Sequence, residues 1–231
     1  MLYLSTPSGG LVREAMESGR IGCMTTPMQG NRLPPNAWYA ADNGVFGKGW
    51  PGYDKWMRWL EATVADYGTE RLLFATAPDV VGDSEATFHR SRTWLRVIRN
   101  LGAPAAFVAQ NGIESNRMIP WREFDILFLG GSPECLHCNW VRPATDFTVK
   151  NCPHCRHLLT EWKLGLGARE LTAEAVSRGI KVHMGRVNSK RRLAIAMEFG
   201  CATADGTYIA FGPDKNLPRI TRWLDELAGA A

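Results

Sequence analysis

Short apolar runs alternate with longer segments of helical period along nearly the whole chain. The runs are LYLST, IGCMTT, AWYAAD, LLFATAPD, AAFVAQNG, ILFLGGS, KVHMGRV and CATADGT. They are apolar almost throughout, as strands covered on both faces of a parallel sheet are. Between most of them lie amphipathic patterns: GGLVREAMESG, YDKWMRWLEATVADYG, SEATFHRSRTWLRVIRNLG, TEWKLGLGARELTAEAVSRG, SKRRLAIAMEFG and the terminal LPRITRWLDELAG. Several close on Gly after a charged last turn, a helix C-terminal signal. Strands alternating with helices imply a parallel sheet, and eight such runs predict a compact, closed (β/α)8 TIM-like barrel, one domain over residues 1–231. Two connections, PMQGNRLPPN and SNRMIPW, are too short and Pro-interrupted for a full helix.

One segment breaks the alternation. After the sixth run comes CLHCNWVRPATDFTVKNCPHC, two C-x-x-C pairs separated by 13 residues. Each pair sets two thiolates on one tight turn, and two such turns close a tetrahedral site. Cys135, Cys138, Cys152 and Cys155 are therefore expected to hold a structural Zn2+ in a zinc ribbon inserted over residues 133–158. His137, His154 and His157 are nearby alternatives, but four thiolates complete the coordination and leave no open position for catalysis. Cys23 and Cys201, in apolar runs, read as buried thiols.

Composition bounds the class. With 231 residues, 45% of them hydrophobic, the chain can bury a full core, and its cysteines are too sparse for a secreted disulfide scaffold. There is no leader-like start and no apolar stretch of about 18 residues, so a cytoplasmic protein without a membrane partner is expected. The net charge of +4 does not by itself call for nucleic acid, but basic residues gather in HRSRTWLRVIR and GRVNSKRR.

The ends of the apolar runs carry the candidate chemistry: Asp42, Asp79, Gln110, Gly130, Gly131, His183, Arg186 and Asp205. In a barrel these positions converge on one mouth. A single Asp-Gly is a common turn device, whereas three aspartates in one cleft repel, raise some of their pKa values and suit an acid/base beside an ionised nucleophile. His183 reads as a base or as a hydrogen-bonded structural residue. No G-x-S-x-G, H-E-x-x-H or nucleotide-binding glycine fingerprint is present. The nine tryptophans read as packing residues, with Trp50 or Trp140 as candidates for base stacking.

The ordered set ADNGVFG, APDVVGD, FVAQNG, FLGGS and HMGRVNSKRRLAIAMEFGCATADGT resembles the tRNA-guanine transglycosylase superfamily, above all the phage-type members that insert 7-deazaguanine bases into DNA. The likeness runs from about Asp42 to Thr207. It implies Asp205 as nucleophile, Asp42 as general acid/base, Asp79 as reader of the guanine edge, and Gln110 with Gly130 and Gly131 as contacts to the base. Asn43 and Gly44 stand where the tRNA enzymes have Ser-Gly, TYIAFG replaces their Pro-Thr-Arg stretch, and the cysteines precede the nucleophile instead of following it. These departures favour DNA over tRNA as partner.

The implied reaction exchanges guanine for a free 7-deazaguanine base through a covalent Asp-glycosyl intermediate. The target nucleotide must leave the stack. Arg186, Lys190, Arg191 and Arg192 are candidate phosphate contacts at a helix start, and the zinc ribbon, with Arg142, Lys150 and Arg156, is a candidate clamp. Two rival readings remain: a base-excising glycosylase using water, and a non-catalytic zinc-ribbon accessory protein that binds nucleic acid.

Overall fold

The computed structural model describes residues 1–46, 50–146 and 148–229. Gly47, the last residue of the ADNGVFG motif, and Phe147, within the inserted segment, lie outside them. Eight parallel strands close into a barrel: β1 (Leu2–Ser5), β2 (Gly22–Thr25), β3 (Tyr39–Ala41), β4 (Leu72–Thr76), β5 (Ala105–Ala109), β6 (Ile126–Leu129), β9 (Lys181–Met184) and β10 (Thr203–Asp205). The circuit runs β1, β10, β9, β6, β5, β4, β3, β2 and back to β1. A two-stranded antiparallel pair, β7 (Pro133–Glu134) with β8 (Thr160–Glu161), forms the base of the inserted segment between β6 and β9.

The barrel is narrow enough to fill with side chains. Leu4, Met24, Ala40, Phe74, Ala106, Val108, Ile126 and Phe128 pack inside it. Large and small residues alternate: Phe74 meets Phe128 edge to face, centroids 6.1 Å apart, with alanines 40 and 106 in the same interior. A second, larger apolar layer lies between the strands and the surrounding helices. These are α1 (Gly10–Glu17), α2 (Tyr53–Tyr67), α3 (Ser84–Asn100), the one-turn α4 (Ile113–Asn116), α5 (Leu166–Ser177), α6 (Lys190–Phe199) and α7 (Pro213–Ala228). Each buries one stripe; α3 buries Thr87, Ser91, Leu95 and Ile98 at helical spacing, and its first turn is capped by Asp83, which accepts from the Ala86 N–H at 2.9 Å.

All eight expected strands are present, and no helix lies between β2 and β3. Two expectations are corrected. TEWKLGLG does not open a helix: Thr160 and Glu161 form β8, Trp162–Leu164 make a 3-10 turn, and α5 starts at Leu166. The terminal helix starts at Pro213, a turn earlier than expected, with Pro213 in the first turn where the missing N–H costs nothing. Among the described residues, no helix is long and apolar enough to cross a membrane.

Candidate active site

All but one of the strand-end candidates sit at the C-terminal mouth of the barrel, because the strands are parallel and in register; His183 is instead buried within the barrel, as a structural histidine would be. A cleft of about 320 Å³ opens there, and Asp42, Asp79, Gln110, Gly130, Gly131, Arg186 and Asp205 all line it. Round the circuit, Asp205 ends β10, Asp42 follows β3, Asp79 follows β4, Gln110 follows β5, the glycines follow β6, and Arg186 follows β9.

The three carboxylates have different settings. Asp205 is anchored through one oxygen: Oδ1 accepts from His183 Nε2 at 2.9 Å and from the Arg186 N–H at 3.3 Å. Oδ2 has no protein hydrogen-bond partner among the described residues. Asp42 is held loosely by the backbone that follows it: the Gly44 N–H donates to Oδ2 at a long 3.3 Å, and the Asn43 N–H also faces the carboxylate. Burial, then the charges of Asp205 and Asp79, push its carboxyl up to about 7. Asp79 is buried and pinned at both oxygens, Oδ1 accepting from Asn43 Nδ2 at 2.7 Å and Oδ2 from Gln110 Nε2 at 2.6 Å. Burial raises it to about 6, against the lowering effect of those two amides.

The raised Asp42 carries a stability prediction. Its folded pKa lies above the unfolded value, so the native state binds the extra proton and the penalty is absent below about pH 4, growing as the pH rises through about 7. Asp42→Asn is therefore expected to stabilise the fold at pH 8 by on the order of 2–4 kcal/mol and to change little at pH 4. Urea melts of both proteins at the two pH values check this; an equal effect at both would remove the buried-charge account.

Gln110, Gly130 and Gly131 all line the cleft, with most of their hydrogen-bonding groups engaged within the protein. Gln110 Oε1 already accepts from the N–H groups of Gly82 (2.8 Å) and Gly131 (2.9 Å), and the Gly130 N–H bonds the Ala109 carbonyl at 3.1 Å. No glycine N–H here is open to a ligand, because the strand ladder and the Gln110 carboxamide consume both. Gln110 Nε2 carries a second proton beyond the one it gives to Asp79. The glycines serve packing: a Cβ on Gly130 would sit 2.7 Å from Val108 Cγ1, and one on Gly131, whose φ is +74°, 2.6 Å from the Trp162 ring.

Of the four cationic candidates, the structure places only Arg186 in the cleft. Its backbone is left-handed, φ +58°; its guanidinium donates to the Gly131 carbonyl and lies over Phe46, 3.8 Å from the ring centroid. Lys190 turns to Glu226 on α7 at 2.5 Å, Arg192 is tied to Glu161 on β8, and Arg191 is exposed on α6. An open basic run at the helix start is thus not what forms.

Sequence reading missed two residues here. Asn43, taken as a departure in a turn motif, bridges Asp79 to the Ala77 carbonyl (2.8 Å). Lys163, in a stretch taken for a helix face, is buried 3.2 Å from Glu161, and burial with the nearby Arg186 charge pushes its amine down to about 7. EWKLG contains the partner Glu161, but nothing in it signals the burial of Lys163 or the approach of Arg186 from the loop after β9.

The four cysteines of the inserted segment bring their Sγ atoms within 4.8 Å of one another. Cys135 and Cys155 are 3.3 Å apart, Cys138 and Cys152 3.4 Å, and Cys138 and Cys155 3.8 Å. Four thiolates about 2.3 Å from one ion would be separated by about 3.8 Å, so the set fits a tetrahedral metal such as zinc. Both knuckles share one backbone design: the Cys135 carbonyl accepts from Asn139 N–H (2.8 Å), the Cys152 carbonyl from Arg156 N–H (2.9 Å), and Asn139 and Arg156 are both left-handed. The segment docks on the cleft rim. Asn111 Nδ2 donates to Glu134 (2.7 Å), Ser132 Oγ donates to the Arg142 carbonyl (2.8 Å), and Val141 abuts Gly82.

Fold and site define a TIM-like (β/α)8 barrel with a carboxylate-lined cleft at its C-terminal face and a four-cysteine module on the rim. No protein-family model and no curated protein matches the chain. Among solved structures it is similar to the Amycolatopsis orientalis BexX/CysO complex, at 16% identity over 99% of this chain and 88% of that one, with a TM-score of 0.57. It is also similar to a mandelate racemase/muconate lactonizing enzyme-like protein from Rubrobacter xylanophilus DSM 9941, at 14% identity over 90% and 57% of the two chains, TM-score 0.49. At such identities the likeness is one of fold alone.

Proposed function

We propose that this chain is a transglycosylase that exchanges guanine in DNA for a free 7-deazaguanine base. The observation that carries the proposal is the meeting of three differently held carboxylates in one cleft: Asp205 with one oxygen unbound among the described residues, Asp42 poised near neutrality, and Asp79 clamped by two amides. The residues that the family resemblance assigns to nucleophile, acid/base and base reader are these three.

The chemistry follows from those settings. Asp205 Oδ2 attacks the sugar C1′, the bond to N9 breaks, and N9 takes a proton from Asp42, leaving a glycosyl ester and free guanine. In the second half Asp42 accepts the N9 proton of the incoming base, N9 attacks C1′, and the ester bond returns its electrons to Asp205. A group titrating near 7 can perform both transfers. Asp79 accepts from the N1–H and 2-amino donors of the guanine edge, which guanine and 7-deazaguanine share. The target nucleotide must be flipped or single-stranded to enter. The cysteine module, with zinc as its structural ion, and with Arg142, Lys150 and Arg156, lies on the rim where flanking phosphates would pass.

The test is incubation with DNA or tRNA and a labelled 7-deazaguanine, followed by digestion to nucleosides. Label in DNA is the expected result; release of guanine without label would select the hydrolytic reading, and no reaction with either nucleic acid would leave the accessory-protein reading.

A further inference from the structure

We infer that His183 is a positioning residue that holds the attacking carboxylate of Asp205 from inside the barrel; this rests on the transglycosylase reading for its kinetic consequence. His183 is fully buried, so it cannot touch a substrate as acid or base. Its ring lies in the barrel interior between Phe74 and Phe128, with centroids 4.9 and 4.4 Å away. Both nitrogens are engaged: Nδ1 lies 2.8 Å from Thr203 Oγ1 and Nε2 2.9 Å from Asp205 Oδ1.

This arrangement assigns the roles. Asp205 is the acceptor at Nε2, so that nitrogen carries the proton, and Thr203 can donate its hydroxyl proton to Nδ1. Thr203 and Asp205 are on the same strand, two residues apart and so on the same face, and β9 beside them sets His183 opposite Thr203. The two aromatic rings and the Thr203 bond fix the imidazole, and the imidazole fixes Oδ1. Oδ2 then remains as the nucleophilic oxygen. The same N–H meets the ester carbonyl in the covalent intermediate and the returning carboxylate when the ester breaks, so the bond supports both half-reactions.

The test compares His183→Met, which fills the space without a donor, with His183→Gln, whose amide nitrogen reaches the Nε2 position. Expected in the exchange assay is a fall in kcat on the order of 10²-fold for His183→Met, with KM for DNA and base unchanged and most of the rate restored in His183→Gln. Crystal structures of both variants supply a readout independent of turnover, with Asp205 displaced in the Met variant and held in the Gln variant. If the wild type exchanges base but both variants match it, or fall together in step with lost folded protein, the inference is overturned. If the wild type exchanges nothing, the functional reading fails, and the Asp205 position in the two variant structures decides whether His183 orients that carboxylate.

Discussion

Replacing Asp205 by Asn is expected to lower base exchange by on the order of 10⁴-fold or more and to abolish any covalent protein–nucleic acid adduct, without unfolding the barrel. The amide keeps a carbonyl oxygen that can accept from His183 and from the Arg186 N–H, the two bonds now made by Oδ1. The side chain is nearly isosteric, so the packing of β10 against β1 and β9 is undisturbed. What disappears is the anionic second oxygen, and an amide cannot form a stable glycosyl ester. Asp42→Asn has a different signature. It leaves the nucleophile intact and removes the proton donor, so the loss, on the order of 10²–10⁴-fold, falls on departure of the base. Adduct detection by denaturing electrophoresis together with nucleoside analysis separates the two. Full exchange by the Asp205 variant would eliminate the covalent mechanism.

Much of this site was legible in the sequence because the fold repeats a simple unit. Buried parallel strands announce themselves as continuous apolar runs, and in a barrel the residue after each run has only one place to go. That is why Asp42, Asp79, Gln110 and Asp205, spread over more than half the chain, could be assigned to one mouth before any coordinates. The cysteine spacing was equally direct, since C-x-x-C geometry is local. Illegible were the bonds between distant segments. Lys190 and Arg192 look like a free cationic run, yet their partners are Glu226 and Glu161, 36 and 31 residues away in sequence. The glycine N–H groups look available until the Gln110 carboxamide is seen to span from Asp79 to Gly131 and Gly82. The stretch Thr160–Leu164 has helical composition, but pairing with Pro133 and Glu134 draws its start into a strand. In each case tertiary contact overrode local pattern.

Removing the metal is expected to unfold the cysteine module and stop there. Among its described residues the segment has almost no apolar interior of its own: Leu136 and Leu158 are 73% and 68% exposed, and the buried side chains at its centre are Cys135 and Cys152. A segment so built would depend on an ion held by its four thiolates, which in comparable small sites contributes about 10 kcal/mol or more. Unfolding should halt at both edges, where the module is bonded to the barrel. On one side Asn111 holds the Ser132 backbone and Glu134; on the other Trp162 packs on Gly131 and donates its indole N–H to Glu114 at 3.1 Å. Chelation, or Cys138→Ser with Cys155→Ser, should therefore abolish metal content and expose protease sites within residues 136–158, while chain beyond Trp162 stays protected. If the module clamps DNA on the rim, affinity should fall by at least about tenfold and lose part of its salt dependence, since Arg142, Lys150 and Arg156 leave their places together. Protease resistance unchanged by metal removal would show that the thiols need no ion; collapse of the whole chain would show that the module is part of the barrel's core instead of an attachment to its rim.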